Sequence, residues 1–164
     1  MMKDYKKGNT GVSKAVLALL FLPIFLFITG CSKDTLDTDE ELIPYFHLFA
    51  DEAAKRDIIV DYEAARIEGL LQNITDSNVL GQCFRNEEKP KKVIIDLDYW
   101  NEASEIDKQF IIFHELGHCF LNRNHDDSKD ENNICNSIMH STPDACTSLF
   151  AERKEQYLNE LFGI

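Results

Sequence analysis

One helical segment limits what this chain can fold into more than any other feature. Residues 106–121 are apolar around much of the helix circumference, yet they include His114, Glu115 and His118. A helix that is apolar on most of its faces must be buried inside a domain. The polar triplet therefore belongs to a central helix and not to a solvent-facing one. At 164 residues, the chain has the length of a single domain.

The remaining pattern predicts an α+β domain over residues 42–164. Ser104 opens the central helix, because Asp107 three residues later completes a capping box. The periodicity of apolar residues predicts further helices at 43–56 and 150–162 and strands at 58–60, 79–85 and 93–97, whereas 65–73 fits a strand or a helix. We expect a small mixed sheet packed on the central helix, with the last helix closing the chain.

His114 and His118 are suited to share one metal ion. Being four residues apart, they lie on the same helix face, one turn from each other. Zinc accepts imidazole nitrogen and prefers four tetrahedral ligands, of which a catalytic site leaves one to water. Glu115 lies about 100° further round the helix. A general base for the zinc-bound water belongs at this place.

The segment HELGHCFLNRNH at residues 114–125 resembles the zinc motif of the metzincin peptidases, HExxHxxGxxH. Its first half, HELGH, matches without adjustment. Further on, Ser137-Ile138-Met139 resembles the Met-turn of that family, which lays a methionine beneath the metal site. Ser141 stands where some subfamilies have a zinc-binding tyrosine. The resemblance covers about residues 93–162.

The second half of the motif fits only after a shift of one residue. Leu121 and Asn124 stand where the family has its glycine and its third histidine. With the shift, Asn122 replaces the glycine and His125 becomes the third histidine. The family glycine has a positive φ, which asparagine tolerates best among the other residues. We therefore expect Asn122 to end the helix in the left-handed conformation.

The resemblance implies a zincin-like fold and a zinc-dependent endopeptidase acting on a peptide or protein substrate. One catalytic Zn²⁺ would be bound by His114, His118 and His125. Glu115 would be the general base, and Met139 would lie under the site. The other reading of the same motif is a non-catalytic lipoprotein that keeps zinc for structure and acts as a binding or assembly module.

Two other residues compete with His125 for the third ligand position. Glu152 would take it if the site followed thermolysin-type zincins, and Asp126 is a further alternative. Residues 126–132 also alternate in polar side chains like the start of a calcium loop. Glu131 stands where an EF-hand needs glycine, so we expect no calcium.

Residues 1–30 read as a leader and not as part of the fold. Four lysines precede the apolar segment 15–28, which is too short for a comfortable membrane span. It ends in Ile-Thr-Gly-Cys, which resembles the lipobox of bacterial lipoproteins and implies cleavage before Cys31 and lipid on it. An ordinary signal peptide or a short membrane anchor are the alternatives. We expect export, an acidic tether at 31–41, and lipid anchoring at the outer membrane, on its periplasmic or cell-surface face.

Charge argues against a nucleic-acid partner. Removing residues 1–30, which hold four lysines and one aspartate, changes the formal net charge from −12 to −15. A surface this acidic repels phosphate backbones.

Four cysteines remain after Cys31, an even number that suits two disulfides in an exported domain. Three connectivities are open, of which we favour Cys135–Cys146 with Cys83–Cys119. One bridge with two buried thiols is the alternative. A cysteine-based zinc site is not expected, because no CxxC pair occurs.

Overall fold

Five helices and three strands are present in the described part of the chain. The structure is a computed structural model that describes residues 37–76, 78–85, 90–142 and 144–164, the last without the side chains of 144 and 145. In chain order the elements are α1 (Ile43–Ala54), α2 (Tyr62–Ala65), β1 (Ile67–Gln72), β2 (Gly81–Phe84), β3 (Lys91–Asp96), α3 (Leu97–Glu102), α4 (Glu105–Cys119) and α5 (Asp144–Phe162). The predicted small α+β fold is confirmed.

The sheet has the order β1-β3-β2 and is mixed, as expected. β1 runs parallel to β3, and β2 runs antiparallel to it, with Cys83 opposite Val93. Val93, Ile94 and Ile95 of the central strand are all buried. A strand covered on both faces reads as a continuous apolar run, which is why this strand was predictable.

Helix α4 lies at the centre of the domain and packs against β2, β3, α1 and α5. Ser104 and Asp107 form the predicted capping box at its start. Phe113 is fully buried, with ring centroids 5.2 Å from Phe49 of α1 and 6.5 Å from Phe150 of α5. Truncating such a core phenylalanine to alanine costs about 3–5 kcal/mol of stability. The helix that carries His114 and His118 is thereby anchored in the hydrophobic core.

Two local predictions differ from the structure. Residues 58–60 form no strand, and the Ile59 side chain is 90% exposed. Asp57 has φ 58°, so the chain turns after α1 and leaves this β-branched run without a partner strand. Residues 97–102 form the helix α3, which was not predicted. It begins because the Asp96 carboxylate accepts a hydrogen bond from Tyr99 N–H.

The last residues of the expected tether belong to the folded domain. Gly69 N–H of β1 donates to Thr38 Oγ, and Leu71 N–H donates to the Asp39 carboxylate. Asp39 N–H in turn donates to the Gly69 carbonyl oxygen. These bonds cover the outer edge of β1, which would otherwise expose unpaired backbone groups. The domain therefore begins no later than Thr38, ahead of the expected start at residue 42.

The leader and the proposed lipid-bearing Cys31 lie outside the described residues. Within the part of the chain that is described, no helix has the length and apolar character needed to cross a membrane.

Both favoured disulfides are confirmed. Cys83–Cys119 joins β2 to the last residue of α4, and Cys135–Cys146 joins the segment before α5 to its first turns. They close loops of 36 and 11 residues. In the chain-entropy account each stabilises the fold by about 3–4 kcal/mol.

Candidate metal centre

Three histidine rings converge at the end of α4. His118 Nε2 lies 3.2 Å from His114 Nε2 and 3.1 Å from His125 Nε2. Two nitrogens bound tetrahedrally to zinc at 2.0–2.1 Å lie about 3.3 Å apart. The two distances from His118 Nε2 are close to this value, and one ligand atom from each of the three histidines lies within 4.8 Å of the others.

The other nitrogen of two of these rings is held by a backbone carbonyl. His114 Nδ1 lies 2.6 Å from Ile138 O, and His118 Nδ1 lies 2.8 Å from Arg123 O. A carbonyl oxygen only accepts, so Nδ1 carries the proton in both rings and the Nε2 lone pair faces the other histidines. Lone pairs this close repel each other unless a cation lies between them, and Nδ1–H···O=C contacts are the usual support of metal-bound histidines.

Burial keeps both helix histidines in the neutral form that a metal needs. It lowers the pKa of His114 to about 4, well below its ordinary value. Burial also lowers the pKa of His118, and the nearby Arg85 guanidinium lowers it further, whereas the hydrogen bond to Arg123 O partly offsets this. Neutral imidazole is the ligand form, so these rings bind a cation at neutral pH without first losing a proton.

Glu115 points into the same site from the neighbouring helix position. Its side chain is buried, which raises the pKa of its carboxyl to about 8. Its Oε2 is buried without a hydrogen-bond partner among the described residues. Gly81 of β2 leaves the space for this carboxylate, because a Cβ there would lie 3.0 Å from Glu115 Cγ and Oε1. An unpaired buried acceptor is costly, so this oxygen is available to a polar group that enters the site.

The chain reverses after α4 at the residue that the sequence indicated. The regular helix ends at Cys119, residues 120 and 121 form a turn, and Asn122 has φ 56°. The left-handed conformation expected for Asn122 is therefore confirmed. Arg123 N–H then donates to Gly117 O at 2.9 Å, which closes the reversal and turns the chain towards the histidine face.

Arg123 also fixes the end of α5 to this reversal. Its guanidinium donates to the carbonyl oxygens of Glu160 and Leu161 and forms an ion pair with the Glu160 carboxylate. The other oxygen of Glu160 accepts from Ser137 Oγ at 2.5 Å. One residue of the last helix thus ties both ends of the loop that carries His125.

The Ser137-Ile138-Met139 segment supports two of the three ligands. Met139 is fully buried against Gly117, where a Cβ would lie 2.5 Å from its Sδ. Ile138 O orients His114, and Met139 O accepts from the N–H of Asp126, the residue after His125. This segment therefore contacts the ring of His114 and the backbone next to His125.

A cleft of about 720 Å³ opens onto the centre. One wall is the loop before β2 and β2 itself, the floor is α4, and the opposite side is the segment after Met139. Its lining residues are Asn78, Val79, Leu80, Gly81, Gln82, Cys83, Arg85, Ile111, His114, Glu115, His118, His125, Ser141 and Thr142.

The other candidate ligands lie elsewhere or have other partners. Glu152 is exposed on α5 and does not line the cleft. The Asp126 carboxylate accepts from Ser128 N–H, and Asp130 accepts from Asn132 and Ile134 N–H, which are the bonds of ordinary turns.

A second group of potential ligands, Cys135, His140 and Cys146, has its atoms within 4.8 Å of one another. Its two sulfurs form a disulfide, so they are not thiolate ligands.

Sequence reasoning missed three residues that shape the site: Gly81, Arg85 and Glu160. Each comes close to the centre only through the tertiary fold, from the sheet edge or from the last helix. The glycine that begins β2 and the arginine that follows the strand carried no local signal.

Comparison of the chain with protein-family models, curated proteins and solved structures finds no match.

Proposed function

We propose that this chain is a zinc-dependent endopeptidase with a zincin-like fold similar to that of the metzincins. The observation that carries the proposal is the combination of three converging histidines with an adjacent, buried and unpaired glutamate. A purely structural zinc site is closed by four protein ligands. In this chain three imidazoles face a cleft together with a carboxylate that is placed to act as a general base. Hydrolytic zinc sites contain this set of groups.

His114, His118 and His125 would hold the ion. When bound, zinc supplies Lewis-acid chemistry, acidifying water towards a pKa of about 7 and polarising a carbonyl. Glu115 accepts the proton of the attacking water on its unpaired Oε2 and later donates it to the leaving amine.

The sheet edge supports a peptide as the substrate. β2 is an edge strand of the sheet and lines the cleft beside the centre. An extended peptide can add to such an edge through backbone hydrogen bonds. The opposite edge, at β1, is covered by residues 38 and 39. These contacts cover the β1 edge and leave the β2 edge, which lies beside the histidines.

The proposal includes the export and anchoring expected from the leader. Lipid on Cys31 would attach the domain to a membrane, with the outer membrane as the proposed location. Two disulfides in the domain support a non-reducing compartment.

The test is cleavage of a mixed peptide library, read by mass spectrometry, by the zinc-loaded domain lacking residues 1–31. We expect cleavage that stops on chelation and returns with zinc. Glu115→Gln should keep its zinc and lose about 100-fold or more of the rate. Equal cleavage by the wild-type domain and Glu115→Gln would overturn the proposed mechanism. Full zinc occupancy without any cleavage would favour the non-catalytic binding or assembly role.

A further inference from the structure

The cleft of this acidic protein contains a positive side chain beside a metal ligand. Arg85 follows β2 and is the residue with a permanent positive charge among the described residues that line the cleft. The chain as a whole has a formal net charge of −12. The positive charge in this wall of the cleft therefore contrasts with the negative charge of the chain as a whole.

Arg85 lies close to His118. Its Nη2 donates to Arg123 O at 3.4 Å, and the same carbonyl oxygen accepts from His118 Nδ1 at 2.8 Å. The two side chains thus share one acceptor at the reversal of the chain. A group bound at the histidine centre would have the guanidinium within reach on its His118 side.

The described residues use little of the hydrogen-bonding capacity of the guanidinium. Within residues 37–76, 78–85, 90–142 and 144–164, no carboxylate forms an ion pair with Arg85. The long bond to Arg123 O occupies one of five N–H donors. The remaining donors form a planar fork that matches a carboxylate.

We propose that Arg85 forms a subsite for a carboxylate group of the peptide substrate, supplied by an acidic side chain or by the chain terminus. This inference rests on the proposed peptidase function and narrows its substrate class. The overall negative charge opposes acidic peptides at long range. A preference for a carboxylate therefore needs a local positive charge, and Arg85 supplies a permanent one in the cleft wall.

The experiment compares matched fluorescent peptides with the zinc-loaded domain. One pair differs only in Glu against Gln at a single position near the cleaved bond, and a second pair has a free or an amidated C-terminus. The first pair tests a side-chain carboxylate, and the second pair tests the carboxylate of the chain terminus. We expect the preferred member of one pair to be cleaved about fivefold to tenfold more efficiently, the size of one charge-assisted contact at an exposed site.

Variants assign that preference to the guanidinium. Arg85→Gln should bring the ratio within each pair to about one, and Arg85→Glu should invert it, since like charges repel. Lys129→Gln removes the same charge from an exposed position outside the cleft, so it should keep the wild-type ratio. A ratio that is unchanged in Arg85→Gln, or lost equally in Lys129→Gln, would overturn the subsite while leaving the peptidase proposal intact.

Binding to zinc-loaded Glu115→Gln provides a readout that needs no turnover. Tighter binding of the carboxylate peptide, lost in the double variant with Arg85→Gln, supports the subsite even if no peptide is cleaved. Equal affinity for both members of each pair overturns it.

Discussion

The two halves of the candidate metal centre are built by different means. His114 and His118 lie on α4, where the helix period alone sets their spacing. His125 lies on residues 122–142, here called the metal loop, which has no helix and only one isolated bridge. The loop is held by contacts distant in sequence, such as Arg123 with Glu160 and the bond from Asp126 N–H to Met139 O.

The two halves should differ in how far their structure depends on a bound ion. The helix half has its shape before metal binds, because it is part of the core. The loop half has few buried apolar side chains, of which Ile138 and Met139 are two. If the proposed ion binds, it should contribute free energy to ordering the loop, and contacts that order the loop should contribute to metal affinity.

The largest effect should come from removing one ligand from each half. His114→Ala and His125→Ala should each weaken zinc binding about 100-fold to 1,000-fold, as expected when one ligand of several is lost. In the presence of chelator, the two variants should differ in their free energy of unfolding. His114 is buried, so its variant should unfold about 1–3 kcal/mol more easily. His125 is exposed, so its variant should match the metal-free wild type. Competition with a chelator measures the zinc affinity, and urea unfolding measures the stability.

His47→Ala is the matched control, since His47 is exposed on α1 and does not line the cleft. This variant should change neither the zinc affinity nor the free energy of unfolding. Metal-free His125→Ala that is as destabilised as His114→Ala would break the distinction between the two halves.

Arg123→Ala should weaken the loop half next most strongly. It removes the donors to the end of α5 and the ion pair with Glu160. We expect zinc affinity to fall about tenfold, the lower range for residues that support a ligand. Isothermal titration with zinc measures this. Arg123→Lys should recover little, because one ammonium cannot replace the fork that reaches two carbonyls and a carboxylate. Full recovery by lysine would contradict the proposed geometry.

A smaller effect is expected at the reversal itself. Asn122 has φ 56°, where alanine is strained by about 1 kcal/mol and glycine is not. Asn122→Ala should therefore lower the free energy of unfolding, whereas Asn122→Gly should leave it unchanged or raise it. Chemical denaturation of the two variants settles the sign, and equal loss in both would show that the asparagine side chain matters more than its backbone.

The smallest effect concerns acid. Hydrogen bonds from Ile134 and Asn132 N–H and the charge of Arg153 hold the pKa of Asp130 below its ordinary value. Since the folded-state pKa lies below the unfolded value of about 3.9, the charged carboxylate stabilises the loop above that pH. This stabilisation is lost as the pH falls through the folded pKa. Asp130→Asn should flatten the dependence of loop hydrogen exchange on pH below the unfolded value of about 3.9. An unchanged slope would assign the acid sensitivity to other groups.

The same division explains how much could be predicted from the sequence. Helix α4, its capping box and its buried position were predicted, because each depends on residues within a few positions of one another. Strand β3 was predicted for the same reason. The left-handed Asn122 followed from a comparison of spacing with a known motif.

The remaining features depend on contacts between distant parts of the chain. Nothing local indicates that Glu160 binds Arg123 and Ser137, or that Gly81 makes room for Glu115. The run 58–60 has the composition of a strand but finds no partner, so propensity alone misled.

The central claim is that three imidazoles, two from the helix and one from the loop, bind a single zinc ion. X-ray absorption at the zinc edge of the loaded domain tests it most directly. The account predicts three imidazole nitrogens and one oxygen at about 2.0–2.1 Å from zinc. Sulfur at about 2.3 Å, or two imidazoles with a protein carboxylate, would contradict it.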